Sequence, residues 1–168
     1  MPRGEQAVIL LVEDSPDDAL QVRQALKRAS LSYPFFVVGS GEEALAYLSA
    51  TGKYSTRDEF PLPDMILLDL KLPGASGFEV LRAIRSDPVL RSLRVIVLTS
   101  SDNFHDINSA YELGANSFVI KPSQFDEYPT LMRNLTAFWL NYFNRSILTA
   151  QDLYAGCREC RSTTDSVS

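Results

Sequence analysis

Residue types that could do chemistry recur where short apolar runs end. Glu13 and Asp14 follow the run 8–12, Asp69 follows 65–68, Thr99 follows 95–98 and Lys121 follows 118–120. Three carboxylates brought together repel unless a cation neutralises them. Hard oxygen ligands of this kind suit Mg²⁺, which retains waters and accepts a phosphate oxygen. An ionised Asp69 is then a nucleophile that can form an aspartyl phosphate without a general base. Mg²⁺ held by Glu13, Asp14 and Asp69 offsets charge on a transferring phosphoryl group. Thr99 can donate its hydroxyl hydrogen to a phosphoryl oxygen, and Lys121 supplies an ammonium point charge. Taken singly, each residue has a plainer explanation: a turn acid, a loop acid before a helix cap, a capping hydroxyl, a solvated lysine. The conjunction at four of five run ends points to phosphoryl chemistry.

These ends meet only if the runs lie side by side. The runs 8–12, 35–38, 65–68, 95–98 and 118–120 are mostly unbroken, as in strands buried on both faces of a parallel sheet. Helical stretches separate them. The first opens with Ser15 as cap, Pro16 in the first turn, and Asp17 and Asp18 at the positive dipole end. Its Ala19, Val22, Leu26 and Ala29 recur at helical spacing and face the sheet. The others are expected at about 42–48, at 77–86 with Phe78, Leu81 and Ile84 inward, at about 102–113 stopped by Gly114, and at about 125–143. Alternation of this kind predicts an α/β fold, a doubly wound five-stranded parallel sheet in the flavodoxin-like order 2-1-3-4-5. In that order strands 1 and 3 are neighbours, and their acids meet at the carboxyl edge where such sheets bind ligands. Residues 51–63 read as a loop. The domain is expected to occupy 1–146, with 147–168 as a polar, flexible tail too short for a DNA-binding module.

The bulk properties agree. The 168 residues are 45% apolar and 22% charged, the composition of a folded domain. A net charge of −5 argues against a nucleic-acid partner, which needs a basic patch. No run is long enough to cross a bilayer, and the short polar start is no signal peptide, so no membrane partner and a cytoplasmic location are expected. Cys157 and Cys160 form C-x-x-C, but a zinc site needs two more ligands and the lone histidine, His105, is distant in sequence. They read as tail thiols.

The stretches Ile9-Leu-Leu-Val-Glu13-Asp14, Leu67-Leu-Asp69-Leu-Lys-Leu-Pro73-Gly, Gly77, Val97-Leu-Thr99-Ser and Ile120-Lys121-Pro122 together resemble the receiver domains of two-component response regulators, over about residues 7–145. The resemblance implies that Asp69 is the phosphoacceptor and that a sensor histidine kinase is the donor. It implies Mg²⁺ binding by Asp14, Asp69 and the backbone carbonyl of Lys71, with Glu13 acting through water. It implies an aromatic switch at Phe118 that moves with Thr99, and a cis Lys121–Pro122 bond. The loop before Pro63 and Phe138-Trp139-Leu140 are similar to single-domain regulators paired with bacterial phytochromes, which implies a bacteriophytochrome as the kinase. Relay to a histidine phosphotransfer protein is an alternative output.

Two apolar stripes run along the last helix, one through Leu131, Leu135, Phe138 and Tyr142, the other through Met132, Trp139 and Phe143. One stripe suffices to cover the sheet. The other predicts a homodimer through helices 4 and 5 and the strand between them, with Phe138, Trp139, Tyr142 and Phe143 at the interface. Two rival functions fit the chain less well. A phosphohydrolase of the haloacid-dehalogenase type needs a second acid two residues after the nucleophile, where this chain has Lys71. A non-phosphorylated scaffold would have a broken acid set, and here it is complete. The chain therefore reads as a signalling switch and not as an enzyme.

Overall fold

A computed structural model describes residues 6–142. The tail from 147, including Cys157 and Cys160, lies outside them, as does Phe143. Five strands, β1 (Ile9–Val12), β2 (Phe35–Val38), β3 (Met65–Leu68), β4 (Arg94–Thr99) and β5 (Ser117–Ile120), form an all-parallel sheet. Their order is β2-β1-β3-β4-β5, as the sequence predicts. Five α-helices alternate with them: α1 (Pro16–Arg28), α2 (Gly41–Leu48), α3 (Gly77–Ser86), α4 (Phe104–Glu112) and α5 (Tyr128–Thr136).

Successive side chains of a strand point to opposite faces, so each run builds two cores. Leu10, Val12, Ile66, Leu68, Val95 and Val97 pack with α2, α3 and α4. Ile9, Leu11, Met65, Leu67, Ile96 and Leu98 pack with α1 and α5. Both faces are covered, which is why the runs carry no polar alternation. On α1 the buried residues are Val22, Ala25 and Leu26, while the expected Ala19 is only half-buried. On α3 the inward face is Val80, Leu81 and Ile84, with Phe78 half-buried.

Helix starts follow their caps. Ser15 Oγ accepts from the Asp18 N–H, and Pro16 sits in the first turn. Ser76 and Glu79 form a reciprocal capping box on α3. Gly77, the first residue of α3, presses on the β3 exit: a Cβ there would lie 2.2 Å from the Asp69 carbonyl oxygen. α4 starts at Phe104, two residues later than expected, because the Asn103 side chain accepts from the His105 N–H and caps it there. The segment 51–63, expected as a plain loop, is tightly packed. It contains a short 3₁₀ turn (Gly52–Tyr54), and Tyr54 and Phe60 stack with Tyr47 and Phe36. Arg57 donates to the carbonyls of Tyr47 and Leu48 at the end of α2, at 2.8 and 2.6 Å.

Two expectations fail at the C-terminal side. The single helix 125–143 is instead a 3₁₀ turn (Phe125–Glu127), then α5, then a wider π-helical run (Ala137–Tyr142). At the junction Thr136 Oγ1 donates to the carbonyls of Met132 and Arg133, at 2.8 and 3.3 Å. Such back-bonding bends helices. Trp139 is also not an outward anchor. It is only 8% exposed and joins Met132, Leu135 and Leu140 in the core beneath α1 and α5. Leu135 of one stripe and Met132 and Trp139 of the other lie on one buried face, broader than a single stripe. Phe138 stays exposed, edge-on to Trp139 at 4.9 Å between ring centroids.

This geometry ranks two substitutions. Trp139→Ala should lower stability to urea by ~3–5 kcal/mol, the usual cost of emptying a large core aromatic site. Phe138→Ala should cost ~1 kcal/mol, the worth of an edge-to-face ring contact. Equal costs, or the reverse order, would contradict the assignment of Trp139 to the core.

Candidate functional site

Register brings the chemical residues together. Val12 lies opposite Leu68, so the next residues, Glu13 and Asp69, leave the sheet side by side. Asp69 N–H donates to the Val12 carbonyl at 3.1 Å, which holds the two exits together. Thr99 ends β4 opposite Ile120, and the Lys121 N–H that follows donates to the Thr99 carbonyl at 2.7 Å. Four adjacent strands thus deliver Glu13, Asp69, Thr99 and Lys121 to one edge.

There the side chains form one network. Asp69 Oδ1 accepts from the Thr99 hydroxyl at 3.0 Å and from the Lys71 N–H at 3.1 Å. Asp69 Oδ2 accepts from Lys121 Nζ at 2.9 Å. Lys121 Nζ also donates to Glu13 Oε2 at 2.5 Å and to Asp18 Oδ2 at 2.8 Å. Glu13 Oε1 accepts from the Ser15 N–H at 3.1 Å. Glu13, Asp69 and Thr99 are buried, whereas Asp14 is exposed at the rim.

Asp18 is the member that sequence reasoning missed. From the sequence alone, its position suits the helix dipole. Yet only three residues separate the end of β1 from the start of α1, so an acid in its first turn stands at the same edge. That short connection was the available signal.

The charge balance is uneven. Burial pushes the Glu13 carboxyl up to about 7, against the pull of Lys121 and the Ser15 N–H. Burial acts the same way on Asp69, but Lys121, the Lys71 N–H and Thr99 outweigh it and hold that carboxyl below its usual range. Burial opposes the Lys121 charge too, and its bonds to Asp18, Glu13 and Asp69 overcome this and raise its pKa. One ammonium is serving several acids. Glu13, Asp14 and Asp69 each offer an oxygen within 4.8 Å of the others. An oxygen-rich acid cluster, with one member forced towards its neutral form, fits a hard divalent cation.

Other residues lie around this network. Ser101, two residues after Thr99, is buried, and its hydroxyl donates to Asp106 Oδ2 on α4 at 2.6 Å. Phe118 is half-buried against the α2–α4 core, one strand position opposite Val97. The Lys71 side chain is exposed, and its backbone N–H donates to Asp69 Oδ1. His105 is exposed on α4. The expected cis Lys121–Pro122 bond is a correction: there is no cis peptide among the described residues. The trans form is the intrinsically preferred isomer, and Lys121 reaches its three carboxylates with it.

With this geometry in place, comparisons with known proteins are direct. Residues 9–133 match the response regulator receiver domain. The response regulator Rcp1 of a Synechocystis strain is 37% identical over 133 residues, covering 79% of this chain and 88% of its own length. A crystal structure of the phosphorylated cyanobacterial phytochrome response regulator RcpA is similar with a TM-score of 0.76 and 36% identity, over 82% of this chain and 96% of that one. The Mn²⁺-bound form of Rcp1 is similar with a TM-score of 0.71 and 36% identity, over 80% and 95%. Strand order, the acid edge and these relatives agree, and the chain belongs to the response regulator receiver domain family.

Proposed function

We propose that Asp69 is the phosphoacceptor, that Mg²⁺ assists it at Glu13, Asp14, Asp69 and the Lys71 carbonyl, and that the donor is a phosphohistidine on a bacteriophytochrome-type sensor kinase. The observation that carries this reading is the position of the Asp69 carboxylate. It stands beside the acid cluster with Thr99, Lys71 N–H and Lys121 all aimed at it. The kinase assignment draws support from the relatives named for phytochrome regulation.

An Asp69 oxygen attacks phosphorus, the phosphorus–nitrogen bond to histidine breaks, and the pair stays with the imidazole nitrogen. Asp69 is already ionised, since its network holds its pKa low, so no base is needed. When bound, Mg²⁺ offsets charge on the phosphoryl oxygens. Lys121 keeps an ammonium against the Asp69 carboxylate, where phosphoryl charge would arrive. The Thr99 hydroxyl, now given to Asp69, is free to turn to a phosphoryl oxygen. That turn draws on the β4–α4 connection, because the Ser101 N–H rests on Thr99 Oγ1 at 3.4 Å. Phe118, beside β4, is the neighbour placed to follow as the aromatic switch. Lys71 in place of a second acid disfavours a phosphohydrolase, and the complete acid set disfavours an inert scaffold.

Output would pass through protein contacts or relay to a histidine phosphotransfer protein. A homodimer through α4, β5 and the run that follows α5 fits the exposed rings and chains of Phe104, Tyr111, Ile120 and Phe138. Trp139 is no longer part of that surface.

Acetyl phosphate with Mg²⁺ should add one phosphoryl mass to the wild type and none to Asp69→Asn, read by intact-mass spectrometry. Equal labelling of the two would sink the phosphoacceptor assignment. In sedimentation, Phe138→Ala should weaken self-association of the wild type. A wild type that stays monomeric at tens of micromolar would contradict the dimer.

A further inference from the structure

Lys121 has three N–H donors, and each finds a different carboxylate: Glu13 at 2.5 Å, Asp18 at 2.8 Å and Asp69 at 2.9 Å. Two of those acids, Glu13 and Asp69, belong to the group that can hold a cation, and Asp18 does not. A divalent cation entering the cluster therefore competes with the ammonium for Glu13 and Asp69. The Lys121 side chain is only 10% exposed, so water cannot readily replace a carboxylate it loses.

We propose that Asp18 is a positioning residue, which keeps the Lys121 ammonium in place over Asp69 while a divalent cation takes over Glu13. The inference rests on the reading of Asp69 as a phosphoacceptor beside a Mg²⁺ site. Asp18 lies in the first turn of α1, and its side chain is 36% exposed, so it makes its bond to Lys121 without being part of the core. Its backbone N–H, not its carboxylate, takes the Ser15 cap. Substituting the side chain thus leaves the helix start intact. Without that carboxylate, the ammonium has only the acids the cation needs. It leans on Glu13 and Asp69, resists loading, and is less firmly held when loading occurs.

The test is Mg²⁺ affinity measured by calorimetry on the full chain. Asp18→Asn is compared with wild type, and Asp17→Asn serves as the charge control. Asp17 is an exposed acid of the same helix turn. Both single variants are repeated in a Lys121→Met background, which keeps a long stem and removes the ammonium. Asp18→Asn should weaken Mg²⁺ binding at least about threefold. Asp17→Asn should have a smaller effect. In the Lys121→Met background the cost of Asp18→Asn should fall to that of Asp17→Asn. An Asp18→Asn variant that binds Mg²⁺ like wild type would overturn the inference alone. So would an equal cost with and without the ammonium, which would make Asp18 a background charge. A wild type that does not bind Mg²⁺ would overturn the reading of the site, and this inference with it.

Discussion

One ammonium shared among carboxylates is the interaction on which the rest of the structure depends. Lys121 stands at the end of an edge strand and reaches Glu13, Asp18 and Asp69. Removing one partner of a buried ion pair typically costs ~3–5 kcal/mol, because it strands a charge in a poor solvent. The parallel sheet supplies the geometry at low strain. Its register sets β1 and β3 level, so that two acids emerge together, and β4 and β5 level, so that Thr99 and Lys121 emerge beside them. Gly77 lets the start of α3 close on the Asp69 backbone, where any side chain would collide with the backbone of Asp69 and Leu70.

The same charge constraint links the site to its surroundings. Thr99 gives its hydroxyl to Asp69, and the Ser101 N–H leans on that hydroxyl oxygen. Ser101 in turn is fastened to Asp106 in the first turn of α4. On the proposed reading, a phosphoryl group on Asp69 would reach Thr99 first, then the β4–α4 connection and the start of α4. This chain of contacts gives the switch a physical route, since a packed network has discrete arrangements to choose between.

Much of this was legible in the sequence, for stated reasons. Unbroken apolar runs report strands covered on both faces, and the cores on either side of the sheet confirm them. The Ser15 cap announced its helix, and Gly114, with φ of +96°, ended α4 where expected. What failed depended on tertiary context. Asp18 looked like a dipole acid because its partner lies 103 residues away. Trp139 looked like surplus apolar surface because the width of the face that α5 buries is set by the sheet and α1, not by the helix alone. The segment 51–63 looked like a loop because its stacked rings touch residues from β2 and α2.

The central claim is that the acid edge is one cation short, with Glu13 bearing the deficit. Burial raises the Glu13 carboxyl to about 7, so near neutrality a proton and a divalent cation compete for it. The sign follows: below that value Glu13 is largely protonated and neutral and attracts the metal only weakly, and above it the full negative charge is available to hold the metal. Mg²⁺ affinity measured across pH, from about one unit below to about one unit above that midpoint, tests this directly. Wild-type affinity should tighten as pH rises through about 7, with proton release on binding, and Glu13→Gln should remove most of that dependence. An affinity flat across the window, or a pH dependence that survives in Glu13→Gln unchanged, would contradict the account.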